Sequence, residues 1–450
     1  MTPMRFTKAV GTVAACAVLV GTVVRSSRVQ AADNDRDSNL QSSARITIAA
    51  APPNRGKNQK LVPDSVRASK LTVRLDYMGR MPSSTNPTSP AVAGSQLLLI
   101  DQWGYLDAWD GTSTHLLLSP ANAPAGIILV SSEALLNVAA NATGTIVYVV
   151  FTSSTVPSGI PQLFSPRPGA DAWHVLYQYD YDGTALSNPR GITALQVCTD
   201  NHTSGGLTVL TDGTLLFATG DNGSPGEDGF SYPQDIAGHL GKILRINAAN
   251  GSTQVVARGI RNAQRLAVDP NGGDPYLVFA DIGGWVAEEL NGMRLTELLA
   301  GGSTPNVGWG RNIDAKAREG WFYIDPTGIA VGVAPRPEFG FIQPIAQFGR
   351  EGADAIAVSG PVVSQQSFIQ IRSLFGDLVS GAVYAIAGAP SLRGQTVFRV
   401  GLRDSNSQTV TLKGLAGGDR PDPRFFNFPD GTAGVLLERT GEFFRLTELH

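Results

Sequence analysis

The chain has 450 residues, 42% hydrophobic and 16% charged, which is long enough for a large core but leaves little room for long helices laced with i,i+4 ion pairs. A net charge of −3 gives no reason to expect nucleic acid or an anionic membrane surface as partner. With 51 glycines and 28 prolines to punctuate short strands, the composition points to an all-β fold.

Arg5 and Lys8 precede an uncharged, mostly apolar run over 9–24, and Val29-Gln30-Ala31 offers a small-residue cleavage site. Residues 1–31 are therefore read as a secretory signal, with a periplasmic or secreted mature chain starting near Ala32. Arg25 and Arg28, just after the run, leave an uncleaved anchor open. No other stretch could cross a membrane. Cleavage removes Cys16 and leaves Cys198 without an intrachain partner, so stability must come from core packing or a metal. Residues 32–67 are polar with no apolar period and read as a flexible leader. The rest, 68–450, is predicted to be one β domain.

Strands are predicted at 96–100, 145–151, 214–218, 242–246, 276–280, 382–386 and 434–438, separated by Gly, Asp, Asn and Pro turns. A Gly-led turn followed by an apolar strand recurs near Leu97, Val147, Leu215, Leu277, Val383 and Leu436, at separations of 50, 68, 62, 106 and 53. The gap of 106 is read as two units. A period of about 50–60 residues suggests a six-bladed β-propeller of four-stranded blades, with the first and last anchors sharing one blade that closes the ring. A pair of β-sandwiches is the alternative.

The most informative stretch is 200–223. It puts His202 on a Gly-rich turn, then a hairpin with an Asp212-Gly213 turn, and Asp221 at the far end. A histidine beside a carboxylate can act as a general base near neutral pH. A turn residue bonded to backbone is the competing reading of His202. No nucleophile elbow, phosphate loop or His/Cys metal spacing occurs.

Four segments carry a resemblance: His202-Thr203-Ser204-Gly205-Gly206 with Thr211-Asp212-Gly213 and Thr219-Gly220-Asp221; Gly241-Lys242-Ile243-Leu244-Arg245; Gly259-Ile260-Arg261-Asn262-Ala263-Gln264; and Asp281-Ile282-Gly283-Gly284 with Glu288-Glu289-Leu290-Asn291 and Asn306-Val307-Gly308-Trp309. Together and in order they resemble the glucose/sorbosone dehydrogenase family, which includes soluble quinoprotein glucose dehydrogenases and aldose sugar dehydrogenases, from about Gln96 to the C-terminus. The resemblance implies a six-bladed propeller that oxidises an aldose, a small-molecule sugar, at C1 with pyrroloquinoline quinone and calcium. It assigns His202 as base and Asp221 as its orienting partner. Arg261, Asn262, Arg420 and Arg424 take positions that contact the quinone. Gly283 and Gly284 match calcium-binding carbonyls, and Glu288 and Glu289 a second acidic, metal-binding cluster.

The chain also departs from the family. Val379 stands where a quinone-pairing lysine belongs, and valine cannot neutralise a carboxylate. Asp422 intrudes between Arg420 and Arg424, Ile260 replaces a histidine, and Ala134 and Asn137 replace the glycines around Leu135-Leu136. These losses favour an alternative in which a non-catalytic propeller binds carbohydrate or protein. A calcium-dependent hydrolase, such as a lactonase, is a third reading, but no converging acidic ligands can be located for it.

Overall fold

The computed structural model describes residues 66–81, 86–130, 133–165, 167, 169–198, 202–223, 232–284, 287–310, 317–319, 322–324, 330–333, 340–349, 358–363 and 371–449. The predicted signal 1–31, the leader up to residue 65, and Asp200 at the start of the 200–223 stretch lie outside the described residues.

The second strand of each repeat explains why the repeats were visible. In Gln96–Asp101, Leu98 and Ile100 pack with Val147, Val149 and Phe151 of the following repeat. Leu97 and Leu99 pack on the opposite side with Phe426, Leu436 and Phe443 of the last. Alternate side chains of a strand leave opposite faces. A strand sandwiched between two neighbours is therefore apolar at every position. Among the described residues six hydrophobic clusters arise this way, each shared by two consecutive repeats.

The strands fall into six antiparallel groups of four. Blade 1 is Pro87–Ala93, Gln96–Asp101, Leu106–Trp109 and Thr114–Leu118. Blade 2 is Leu135–Ala140, Ile146–Ser153, Ala172–Tyr181 and Leu186–Val197, with Gln162–Leu163 added at its edge. Blade 3 is Ser204–Val209, Leu215–Thr219, Lys242–Ile246 and Thr253–Arg258. Blade 4 is Leu266–Asp269, Tyr276–Asp281, Ala287–Arg294 and Ala346–Gly349. Blade 5 is Val358–Val363, Ser373–Asp377, Val383–Ile386 and Phe398–Arg403. Blade 6 is Pro423–Asn427, Ala433–Leu437 and Glu442–Leu449, completed by Arg67–Arg80 from the other end of the chain. The first strand of each blade touches the first strand of the next, and that of blade 6 touches that of blade 1. The ring thus closes with six members.

Two details of the sequence reading are corrected. Leu97 and Leu436 lie in different blades, and the strand that closes the ring is Arg67–Arg80, which pairs with Glu442–Leu449 and runs parallel to Phe398–Arg403. Blades 5 and 6 consequently hydrogen-bond into one eight-stranded sheet, and Arg67 belongs to the domain rather than to the leader. The gap of 106 is one step, not two. Leu277 and Val383 sit in adjacent blades, and a small sheet of Ala317–Glu319, Phe322–Ile324 and Ala330–Val333 is inserted before the last strand of blade 4. Among the described residues no helix is long and apolar enough to cross a membrane, and Cys198 is buried outside any disulfide.

Candidate functional site

His202 immediately precedes the innermost part of blade 3, where the backbone is left-handed at His202 (φ 49°), Ser204 (φ 60°) and Gly205 (φ 98°). The return strand passes so close that a Cβ on Gly220 would sit 1.4 Å from the His202 carbonyl oxygen. Glycine at 220 therefore lets Asp221 reach the imidazole. Asn222 locks the same turn by donating from Nδ2 to His202 O at 3.2 Å and accepting from the Cys198 amide at 3.1 Å.

His202 Nδ1 lies 2.7 Å from Asp221 Oδ1, and the two side chains are 7% and 3% exposed. Oδ1 also accepts from the Gly223 amide at 3.1 Å, and Oδ2 accepts from Trp309 Nε1 at 2.7 Å. A carboxylate can only accept, so the ring proton of a neutral imidazole belongs on Nδ1, leaving the Nε2 lone pair as the basic atom.

Arg261 and Asn262 sit on the segment leading from blade 3 to blade 4. The Arg261 carbonyl accepts from the Asp221 amide at 2.9 Å. Their own amides donate to Asp281, at 3.0 Å from Arg261 and 2.7 Å from Asn262. Burial, with Glu289 directly across the strand pair, pushes the Asp281 carboxyl up to about 7. The Arg261 guanidinium lies 5.3 Å from the Trp309 ring centre and donates to Ile282 O at 3.1 Å. Asn262 Oδ1 accepts from the Ser204 amide and hydroxyl, at 3.1 and 3.2 Å. The structure thus gathers His202, Asp221, Arg261 and Asn262 around Trp309.

The other assigned residues are placed differently. Arg420 donates to Asp422 at 2.8 Å. Arg424 is held by Glu438, at 3.1 Å from Nε, and by Gln264, at 2.6 Å from Nη1. Val379 lies in the turn capped by Asp377, whose Oδ1 accepts from its amide at 2.6 Å. Each of these arginines is already paired with an acid, and the valine offers no charge to a quinone carboxylate. Glu288 and Glu289 are neighbours on one strand, so their side chains leave opposite faces. Glu288 accepts from the Gly283 amide at 3.1 Å and Glu289 from Asn291 at 3.0 Å. A Cβ on Gly284 would meet the Trp309 ring at 2.5 Å. Among the described residues no group of three or more His, Cys, Asp or Glu could hold a metal. Ile260 is fully buried core, and Asn137 donates to Gly205 O at 2.6 Å, tying blade 2 to the histidine turn.

A solvent-open axial cavity is lined from every blade, by Ser89, Leu136, Ser204, Arg265, Gly360 and Arg424 among others. His202 is not among its lining residues, although Thr203 is. Two functional neighbours escaped the sequence reading. Trp309 ends the Asn306-Val307-Gly308-Trp309 segment, but nothing in the sequence marks it as the donor to Asp221. Arg265 directly follows the 259–264 segment, and no motif marks it in the sequence.

Residues 134–296 match the family model described as Glucose / Sorbosone dehydrogenase. No curated protein matches the chain. Among solved structures, the PQQ-bound aldose sugar dehydrogenase of Streptomyces coelicolor is 20% identical with a TM-score of 0.57, over 84% of this chain and 99% of its own. A glucose dehydrogenase gives the same identity and TM-score, over 84% and 98%. A Trichoderma reesei carbohydrate-active enzyme of family AA12 is 17% identical with a TM-score of 0.50, over 86% and 98%. At these identities the structural likenesses carry the fold alone. The resemblance of this chain to the glucose/sorbosone dehydrogenase family therefore holds, and the matched region contains the histidine, the aspartate and the Arg-Asn pair.

Proposed function

We propose that this protein is a sugar dehydrogenase that oxidises an aldose at C1, with His202 Nε2 taking the hydroxyl proton. The observation that carries this reading is the His202–Asp221 pair at 2.7 Å, whose second carboxylate oxygen is held by Trp309. Asp221 fixes the ring orientation and stabilises the imidazolium that forms as the proton arrives. A positioned base of this kind contributes about 10² to 10⁴ in rate. The two-electron acceptor that the resemblance implies is pyrroloquinoline quinone, with calcium. The occupied arginines and Val379 argue for weaker quinone binding than the family pattern would give. Export belongs to the same proposal and rests on the basic, apolar and small-residue segments of 1–31.

A non-catalytic carbohydrate-binding propeller is the second reading, favoured by the internal pairing of Arg420 and Arg424. Reconstitution separates the two. Purified protein is mixed with the quinone and calcium, and dye reduction is followed over a panel of aldoses. Aldose-dependent reduction that vanishes in His202→Ala supports the enzyme. A panel that gives no reduction, or equal reduction in His202→Ala, refutes it.

A further inference from the structure

The cation missing from the family positions is present elsewhere in the axial cavity. Arg265 leads into the first strand of blade 4, and its Nη2 donates to Pro90 O of blade 1 at 2.8 Å. Blades 1 and 4 are opposite members of the six-membered ring, so this side chain spans the channel. Among the described residues, that carbonyl is its one hydrogen-bond acceptor, so a guanidinium with five N–H donors keeps others for a ligand in the cavity it lines. Burial, and then the like charge of Arg424, lower its pKa to about 10, and among the described residues no carboxylate acts in the other direction. The acids nearby, Glu438 and the cavity-lining Glu133, act on Arg424 instead. The hydroxyl-bearing residues Ser89, Thr203 and Ser204 line the same space.

We infer that the axial cavity is a receptor for a small molecule bearing a carboxylate, and that Arg265 binds that carboxylate. A guanidinium offers two parallel N–H donors matched to two carboxylate oxygens, and it does so best where water is scarce. The carboxylate has two chemical sources, an acidic sugar or the quinone itself. The inference concerns binding and stands apart from the dehydrogenase reading.

The test uses the full purified chain without metal. Thermal unfolding and titration calorimetry are recorded with D-galacturonate, D-galactose and pyrroloquinoline quinone, on the unmodified protein, Arg265→Gln and Arg265→Lys. At least one carboxylate ligand is expected to raise the midpoint and to bind at least about tenfold more tightly than galactose. Arg265→Gln should lose that preference, and Arg265→Lys should keep part of it. A response to galacturonate assigns the carboxylate to a sugar, and a response to the quinone alone assigns it to the cofactor. The inference is overturned if neither carboxylate shifts the unmodified protein at about 10 mM. It is also overturned if galactose binds as well, or if a folded Arg265→Gln binds as the unmodified protein does. Carboxylate binding without any sugar oxidation would sink the dehydrogenase reading and leave this one intact.

Discussion

The Trp309–Asp221 hydrogen bond is the joint on which the histidine site turns, and a double-mutant cycle measures it. Trp309 and Asp221 are 3% and 2% exposed, and their contact is 2.7 Å. A buried hydrogen bond to a charged acceptor contributes roughly 1.5–3 kcal/mol. Trp309→Phe alone also weakens the contact with Arg261, which is worth about 0.5–1 kcal/mol. Asp221→Ala alone also removes the bonds from His202 and Gly223. Those side effects cancel in the cycle, so the coupling between the two substitutions should be about 1.5–3 kcal/mol. Urea unfolding followed by far-UV circular dichroism supplies the four stabilities, with unchanged m-values as the check on the native state. Additivity within about 0.5 kcal/mol would mean that indole and carboxylate do not meet in solution. Asp221 would then lack its anchor, and the orientation assigned to His202 would fall with it.

Two further outcomes follow from the buried polar groups. His174 is fully buried with neither ring nitrogen hydrogen-bonded among the described residues, and burial lowers its pKa to about 3. Below pH 6.5 the unfolded chain takes up a proton that the fold refuses. Stability should therefore fall between about pH 6.5 and pH 3, by an amount on the order of 5 kcal/mol. His174→Leu should flatten that acid limb and raise stability at pH 5 more than at pH 8, and denaturation profiles that match the unmodified protein at both pH values would contradict the assignment. Asn137→Leu should cost about 1–3 kcal/mol, because it strands the buried Gly205 carbonyl that Asn137 holds at 2.6 Å; an unchanged urea midpoint would show that the tie between blades 2 and 3 is dispensable.

The ring was legible because each blade has a strand squeezed between two neighbours, and such a strand reads as unbroken apolar sequence. Leu97, Val147, Leu215, Leu277 and Leu436 all fall in the second strand of their blades, while Val383 falls in the third. Spacing could not reveal the closure, because Arg67–Arg80 alternates polar and apolar residues and bears little likeness to the repeated strand. Nor could it separate a skipped blade from an insertion. Both lengthen a gap, and only the pairing of Ala287–Arg294 with Ala346–Gly349 shows that blade 4 was interrupted.

The site divides along the same line. The pairing of His202 with Asp221 was readable because both ends of one hairpin must meet, whatever the rest of the fold does. Its third member was not, since Trp309 comes from a segment 88 residues beyond Asp221 and arrives only through the docking of one blade on another. Charge was harder still. From the sequence, Arg420, Arg424 and Val379 record how many cations stand at family positions, but not which of them already carry a counterion. The structure supplies that information. Arg424 is held by Glu438, whereas Arg265 crosses the channel with no acid acting on it among the described residues. A binding site depends on charge left over after internal pairing, and in this cavity that surplus lies one residue beyond the motif that drew attention to the segment.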